Sequence, residues 1–566
     1  MRRKGIPVIV ALVLIVIVAV VGFGSRLLEK YSYSKEVVDL DEYYGVEEGE
    51  LAILLQNDMI SDRAYVRDGR IYFELNTVKT YLNEGFYADR NEQKILYTTA
   101  LDTATAVFGA REYTDGAGGH ALEYEACFAE GDGIFLAADY VKRFTNYSWL
   151  AFERHLQVYT EWGTKQTMEV TKDTQVRLEG GIKSPILREA EAGETVEVLE
   201  QGEDWSLVKT SDSVIGYLEN KRLDNLQTVT EEPVRDYVEE EYTSVRLPQK
   251  VSLGFHSIGG EGGNSTLDAM LADGNCINVI APTWFSLTDN EGNFRSFASA
   301  WYVESAHARG LQVWGVWDNF NYRNETGADV SAYEVLSSTT KRQKLVQDMV
   351  DTSLGLKLDG INIDFEGLKV DCGEHYIQFL KELSVLCRGS GLILSVDNYV
   401  PLNFNDYYRL DIQGKILDYC IIMGYDEHWH GSGDPGSVAS IEYVSKGLDR
   451  NLEQVPAEKV VNALPFYMIL WKTEGTTVTD EYVTLNHLAD FLQSQNIKLQ
   501  WDETTCQNYG EWNSGTALYQ IWAEDEESIA VKLNVMNARN IGGVAVWRLG
   551  YGTPAAWDLI RAYGSL

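Results

Sequence analysis

Apolar side chains are distributed along this chain in three patterns. The first is continuous: "IPVIVALVLIVIVAVVGFGS", residues 6–25, holds twenty residues without a charge, enough for a helix to cross a bilayer. The second alternates over short distances. Between 167 and 225, runs such as "GETVEVLEQGEDWSLVKT" are broken by Gly and Asp turns and predict a small β-barrel. The third is rhythmic. "VSLGFHSI", "CINVIAP", "LQVWGVW", "LDGINIDFE", "LILSVDN", "LDYCIIMGYD", "VVNALPFY" and "GGVAVWRL" recur through 251–566 with helix-period segments between most of them. Eight strands alternating with helices predict a (β/α)8 TIM barrel. Between its fourth and fifth strands, Phe379, Leu380, Leu383 and Leu386 carry the helix period, and Gly389 or Gly391 ends it.

The remaining segments connect these regions. Residues 26–50, rich in Glu, Asp and Tyr and without periodicity, predict a stalk. Residues 51–165 contain a weak repeat: "DGRIYFELNTVKTYL" (68–82) and "DGIFLAADYVKRFT" (132–145) each give a turn, a strand and a helix, which predicts two α+β halves. Residues 226–250 read as an acidic linker. At the start, Arg2, Arg3 and Lys4 precede the apolar run and should stay cytoplasmic. With no A-x-A cleavage pattern, the run predicts an uncleaved transmembrane signal anchor over 1–25, cleavage with secretion being the alternative. The first cysteine is Cys127, so there is no lipobox. Everything beyond about residue 26 is then expected on the cell-wall side of the membrane.

Charge narrows the partners. With 85 acidic and 48 basic side chains the formal charge is −37, which opposes nucleic-acid binding through phosphate neutralisation. The six cysteines form no CxxC or Cys/His cluster, so neither a metal site nor a disulfide framework is indicated, and no cofactor is expected.

The chemistry concentrates in "DGINIDFEG", residues 359–367. In a strand, Asn362, Asp364 and Glu366 share one face and Ile361, Ile363 and Phe365 the other. A half-exposed strand would show the same alternation with its acids in water. As strand four of a barrel, however, the segment puts Glu366 at the C-terminal end, where such barrels keep their chemistry. Asp359 has the opposite parity and reads as structural. Asp364 and Glu366, about 6.5 Å apart along one strand, cannot act on one bond from opposite sides.

This segment resembles the D-G-x-D-x-D-x-E strand of glycoside hydrolase family 18, with Asn362 in place of the first inner Asp. "MGYD" (Met423 to Asp426) is similar to that family's strand six, and Trp547 of "GGVAVW" to its strand-eight sugar floor. "MGYDEHW" and "LPFYMILW" resemble the spore-cortex and sporulation-associated branch. Residues 167–225, through Trp205 and Gly216-Tyr217, resemble the bacterial SH3-like domain, a spacer or wall-peptide binder. Residues 51–165 resemble the copper amine oxidase N-terminal-like domain, without ligands for copper. The resemblances imply a multidomain chain: membrane helix, α+β region, small all-β barrel, catalytic (β/α)8 barrel.

For the site, the resemblance implies substrate-assisted, retaining catalysis, in which the sugar's own 2-acetamido oxygen attacks the anomeric carbon. Glu366 would be the acid, its pKa raised by the like charge of Asp364. Asp364 would orient the acetamide with Tyr425. Trp547 would floor the sugar, with Gly543 and Ala545 leaving room, and Asn362, Met423, Asp426 and Asn319 would bind substrate. Asp397 and Asn398 are placed either to touch sugar or to cap loops, and Trp429 and Trp471 to wall subsites or to pack. The implied activity is hydrolysis of peptidoglycan at N-acetylglucosamine. Chitinase, endo-β-N-acetylglucosaminidase and non-catalytic glycan-binding readings are the alternatives.

Overall fold

The computed structural model describes residues 6–272, 274, 276–321 and 327–564. The chain forms two compact units: Met1–Phe86, Ala106–Tyr113 and His120–Glu239 make the first, and Tyr87–Thr105, Thr114–Gly119 and Glu240–Leu566 the second.

The first unit begins with a 26-residue helix, Ile6–Tyr31. The expected anchor lies partly outside the described residues, which exclude 1–5, with Arg2, Arg3 and Lys4, and the side chains of residues 6–8, 24 and 25. Among the described residues no helix is long and apolar enough to cross a membrane; the uninterrupted stretch of described side chains runs only from Ile9 to Phe23.

After the helix the expected free stalk is instead a strap. Ser34 N–H donates to the Ile182 carbonyl (2.7 Å) and Val38 N–H to the Ile186 carbonyl (2.8 Å). Val38, Leu40 and Tyr43 pack against the SH3-like core. Asp39 caps a one-turn helix, Leu40–Tyr44, which Gly45 ends at φ 58°. Its apolar residues are too few to show a period, so composition alone suggested a solvated segment.

The SH3-like region is a seven-stranded sheet around Val176, Leu187, Val196, Val208 and Leu218. Gly216 is required there, because a Cβ would meet the Arg177 carbonyl at 2.7 Å. The region is wider than 167–225: Thr164–Val170 pairs antiparallel with Leu223–Thr230, which takes the first residues of the presumed linker into the sheet. In the α+β region, Arg70–Glu74 and Gly133–Ala137 are each followed by a short helix, the order read in the repeat, and they pair antiparallel with one another, which the repeat did not foretell.

In the second unit all eight expected strands form one closed parallel ring: Val251–His256, Val279–Leu287, Gln312–Asp318, Gly360–Asp364, Ile393–Tyr399, Tyr419–Met423, Val460–Pro465 and Gly543–Trp547. They are called barrel strands one to eight below. The first pairs with both the second and the eighth, which closes the barrel. Gly543 serves this closure, since a Cβ there would collide with the Val251 carbonyl; it does not make room for a sugar. Between strands seven and eight the chain inserts a five-stranded antiparallel sheet, running from Tyr467–Glu474 to Ala517–Ala523, with the helix Leu485–Gln495. The repeating strand-helix rhythm gave no sign of it.

Candidate active site

Strand four is buried along its whole length. On the outward side Phe365 stacks on Phe379 of the helix Gly373–Ser390, centroids 5.6 Å apart. The outward face is thereby sealed with apolar contacts, and Asn362, Asp364 and Glu366 have only the barrel interior and mouth to face. Register sets their neighbours, with Asp364 beside Asp318 of strand three and Asn362 beside Ser395 of strand five.

Above the strand ends lies a cleft with about 870 Å³ of empty space. Of the residues singled out in the sequence, Asp364, Glu366, Tyr425, Met423, Asp426 and Trp547 line it. Asp397 lines it too. Trp547 is half-buried and tilts against Phe255 at 5.5 Å, leaving ring surface available to a ligand. The Trp547–Arg548 peptide is cis. Arg548 also lines the cleft; its guanidinium donates to the Tyr551 hydroxyl (2.7 Å) and lies 4.2 Å from that ring.

Two expected substrate contacts are corrected. Asn319 grips the backbone of the acid: its Oδ1 accepts the Glu366 N–H (2.9 Å) and its amide donates to the Glu366 carbonyl (2.8 Å). Asn362 is fully buried below the cleft and donates to Ser395 Oγ (3.0 Å) and Asp397 Oδ1 (3.1 Å). Both hold cleft-face residues in place: Asn362 sits one layer below Asp364 on its own strand, and Asn319, one residue past Asp318, is spent on the Glu366 backbone. Asn398 turns away to donate to Gln413 (2.9 Å). Trp471 is fully buried in the insert with its indole N–H on the Gly436 carbonyl (2.8 Å), so it packs, while Trp429 is exposed outside the cleft lining. Asp359 is structural, accepting from His307 and the Val313 N–H, each at 2.8 Å.

Electrostatics changes one further expectation. Burial raises the Asp364 carboxyl well above the usual carboxylate range, and the charges of Asp397 and Glu366 add to this. Burial also raises Glu366, helped by the charges of Asp426 and Asp318. The hydrogen bond between Asp364 and Glu366 acts the other way and lowers Glu366. Asp364 is therefore not what lifts the acid's pKa; desolvation is. The Tyr399 hydroxyl donates to Glu366 Oε2 (2.8 Å). Burial pushes Asp397 up to about 8. Among the described residues Asp364 Oδ1 is buried with no hydrogen-bond partner, an exception to the usual pairing of buried polar atoms.

Tyr399 was missed, although a signal existed: Ser395, Asp397 and Tyr399 occupy every second position on strand five, the same inward parity as on strand four. Tyr467 and Tyr482, which also line the cleft, come from the insert. Tyr467 donates to Asp426, a contact between segments with no shared sequence pattern.

Residues 326–552 match the family model "Glycosyl hydrolases family 18" and residues 172–224 match "Bacterial SH3 domain". Over 296 residues the chain is 25% identical to the uncharacterized glycosylase YvbX of Bacillus subtilis, covering 50% of this chain and 84% of that one. Over 237 residues it is 26% identical to the cortical fragment-lytic enzyme of Bacillus anthracis, covering 40% of this chain and 54% of the relative, so about half of that relative's length is spanned. The crystal structure of the Bacillus cereus spore cortex-lytic enzyme SleL aligns with a TM-score of 0.50 at 21% identity, covering 59% of this chain and 78% of that one, a likeness of fold. The chain carries a glycoside hydrolase family 18 domain and a bacterial SH3 domain, and it is a glycoside hydrolase.

Proposed function

We propose that this glycosidase hydrolyses β-1,4 bonds at N-acetylglucosamine residues of peptidoglycan, with retention and with the substrate's acetamido oxygen as nucleophile. The observation that carries the reading is the Asp364 carboxyl. It lies in the cleft, hydrogen-bonded to Glu366, with its second oxygen unpartnered. That oxygen suits the N–H of an acetamide held over Trp547, whose face suits a sugar ring. Glu366, fixed by Asn319 and Tyr399, delivers a proton to the leaving oxygen and then takes one from the incoming water. Asp364 stabilises the positive charge that develops as the acetamide closes on the anomeric carbon.

The choice of polymer rests on relatives named as cortical fragment-lytic enzymes and as a putative sporulation-specific glycosylase. In the same reading the apolar run of 6–25 anchors the chain in the cell membrane with the barrel on the wall side. The α+β region, which resembles the copper amine oxidase N-terminal-like domain, and the SH3-like domain act as spacers.

Purified peptidoglycan and N-acetylglucosamine oligomers are digested in parallel and the products weighed by mass spectrometry. Soluble fragments ending in reducing N-acetylglucosamine are expected from peptidoglycan. Cleavage of the oligomers alone would reassign the enzyme as a chitinase, and efficient cleavage at de-acetylated glucosamine would end the substrate-assisted mechanism. Protease added to wall-stripped cells should remove the barrel and leave a membrane-bound stub.

A further inference from the structure

Arg548 stands where a substrate must pass, in the lining of the cleft. In a chain with 85 acidic and 48 basic side chains, and in a cleft that already holds Asp364, Glu366, Asp397 and Asp426, its guanidinium is paired with no carboxylate among the described residues. The ring order gives the reason: strand eight, which ends at Trp547, stands opposite strand four. Arg548 uses one of its five N–H donors on the Tyr551 hydroxyl and rests on that ring. It is held in place with most of its fork unused. The nearby His256 is held below its usual pKa by burial and then by the Arg548 charge, so it stays neutral near pH 7 and the positive field there is Arg548's own. A fixed guanidinium with a free edge fits a carboxylate, which it can hold by two parallel hydrogen bonds.

We propose that Arg548 receives the free lactyl carboxylate of a muramic acid residue next to the N-acetylglucosamine seated on Trp547, so that the enzyme selects glycan strands without stem peptides. The inference rests on the peptidoglycan reading above. In a peptide-bearing strand the same carboxyl is an amide: it carries no charge, offers a single oxygen and is followed by a chain of amino acids. Only after that amide has been hydrolysed does the sugar present the anion that fits the fork. The class of reaction that supplies this substrate is therefore amide hydrolysis between muramic acid and its peptide, upstream of this enzyme.

The test uses the full-length chain in detergent and four glycans. These are peptide-bearing peptidoglycan, the same strands stripped by an amidase, stripped strands with the lactyl carboxyls converted to primary amides, and a hyaluronan-type polymer alternating N-acetylglucosamine with a uronic acid. The wild-type kcat/KM for stripped strands is expected to exceed that for amidated strands by about ten- to a hundredfold. In Arg548→Gln that ratio should fall toward one, whichever way the absolute rates move, and Arg548→Lys should recover part of it. Equal wild-type rates on stripped and amidated strands, or a ratio that survives in Arg548→Gln, would overturn the role of Arg548 while leaving peptidoglycan hydrolysis intact. Faster cleavage of peptide-bearing strands would overturn the order of reactions. Arg548-dependent cleavage of the hyaluronan-type polymer would move the carboxylate to a uronic acid. No cleavage of any muramic-acid strand would remove the peptidoglycan reading, and this inference with it.

Discussion

The barrel unit buries carboxylates in two ways. Glu524, fully buried between the insert's strand Ala517–Ala523 and the helix Glu526–Ala538, receives Lys532 on both oxygens (2.6 and 2.8 Å), with Ser528 at 3.0 Å and Gln507 also donating. Glu382 is similar, gripped by the buried Arg342 at 2.9 and 3.0 Å. At the barrel mouth, Asp364, Glu366 and Asp397 are crowded together, and among the described residues no cation is paired to any of them and one oxygen of Asp364 has no partner. A buried charge that serves only the fold is satisfied on every side, because an unmatched one costs several kcal/mol. In the reading proposed above, substrate completes the unmatched carboxyls of the cleft, so satisfaction, more than burial, separates the two kinds.

The sharpest way to test this contrast is to neutralise one acid of each kind. Glu366→Gln should lower turnover by about 10²- to 10⁴-fold while circular dichroism and the melting temperature stay near those of the wild type. Turnover close to normal in the folded variant would remove Glu366 as the acid.

Next in size is Lys532→Met, which leaves Glu524 charged and unmatched. It should cost about 3–5 kcal/mol of stability, read as a shift in the denaturant midpoint. A shift under about 1 kcal/mol would place the pair among surface-like bridges.

Tyr399→Phe removes one hydrogen bond to Glu366, and with it a contact that lowers that group's pKa. The alkaline limb of the pH–rate profile should move upward and kcat should fall about tenfold, as one charged hydrogen bond allows. An unmoved limb would show that the contact is incidental.

The smallest effect runs in the other direction. Burial raises Asp397 from the ordinary value near 3.9 to about 8. The folded state thus holds a proton that the unfolded chain loses, and stability falls as pH rises from about 4 to about 8. Asp397→Asn should therefore raise the melting temperature by a few degrees at pH 8 and by nothing at pH 4. A variant that melts lower at pH 8 would make Asp397 a structural acid.

The barrel was legible because its strands are apolar runs set apart by helix-period segments, and strand four because a period of two cannot hide acids at every second position. Trp547, Met423, Tyr425 and Asp426 came from short motifs near strand ends, where spacing fixes placement. What escaped was of two kinds. Asn362 shares the parity of Asp364 and Glu366, yet depth along the strand puts it one layer below the mouth, and depth does not appear in a parity count; Asn319, one residue past Asp318, spends its amide on the Glu366 backbone, a tertiary contact. Tyr467 and Tyr482 belong to an insert whose antiparallel strands break the barrel's rhythm, and their approach to Asp426 is a tertiary fact. The strap of residues 34–45 was misread because a few apolar residues among acids look solvated until a sheet lies beneath them.

The insert has a consequence for descent as well as for binding. Glu366, Asp364, Tyr399 and Trp547 sit on barrel strands or directly after them, whereas Tyr467 and Tyr482 belong to a separate sheet with its own small core of Met468, Leu470, Val483 and Ile521. In descent, changes confined to that sheet can therefore reshape one wall of the cleft while leaving the strand-borne carboxylates in place.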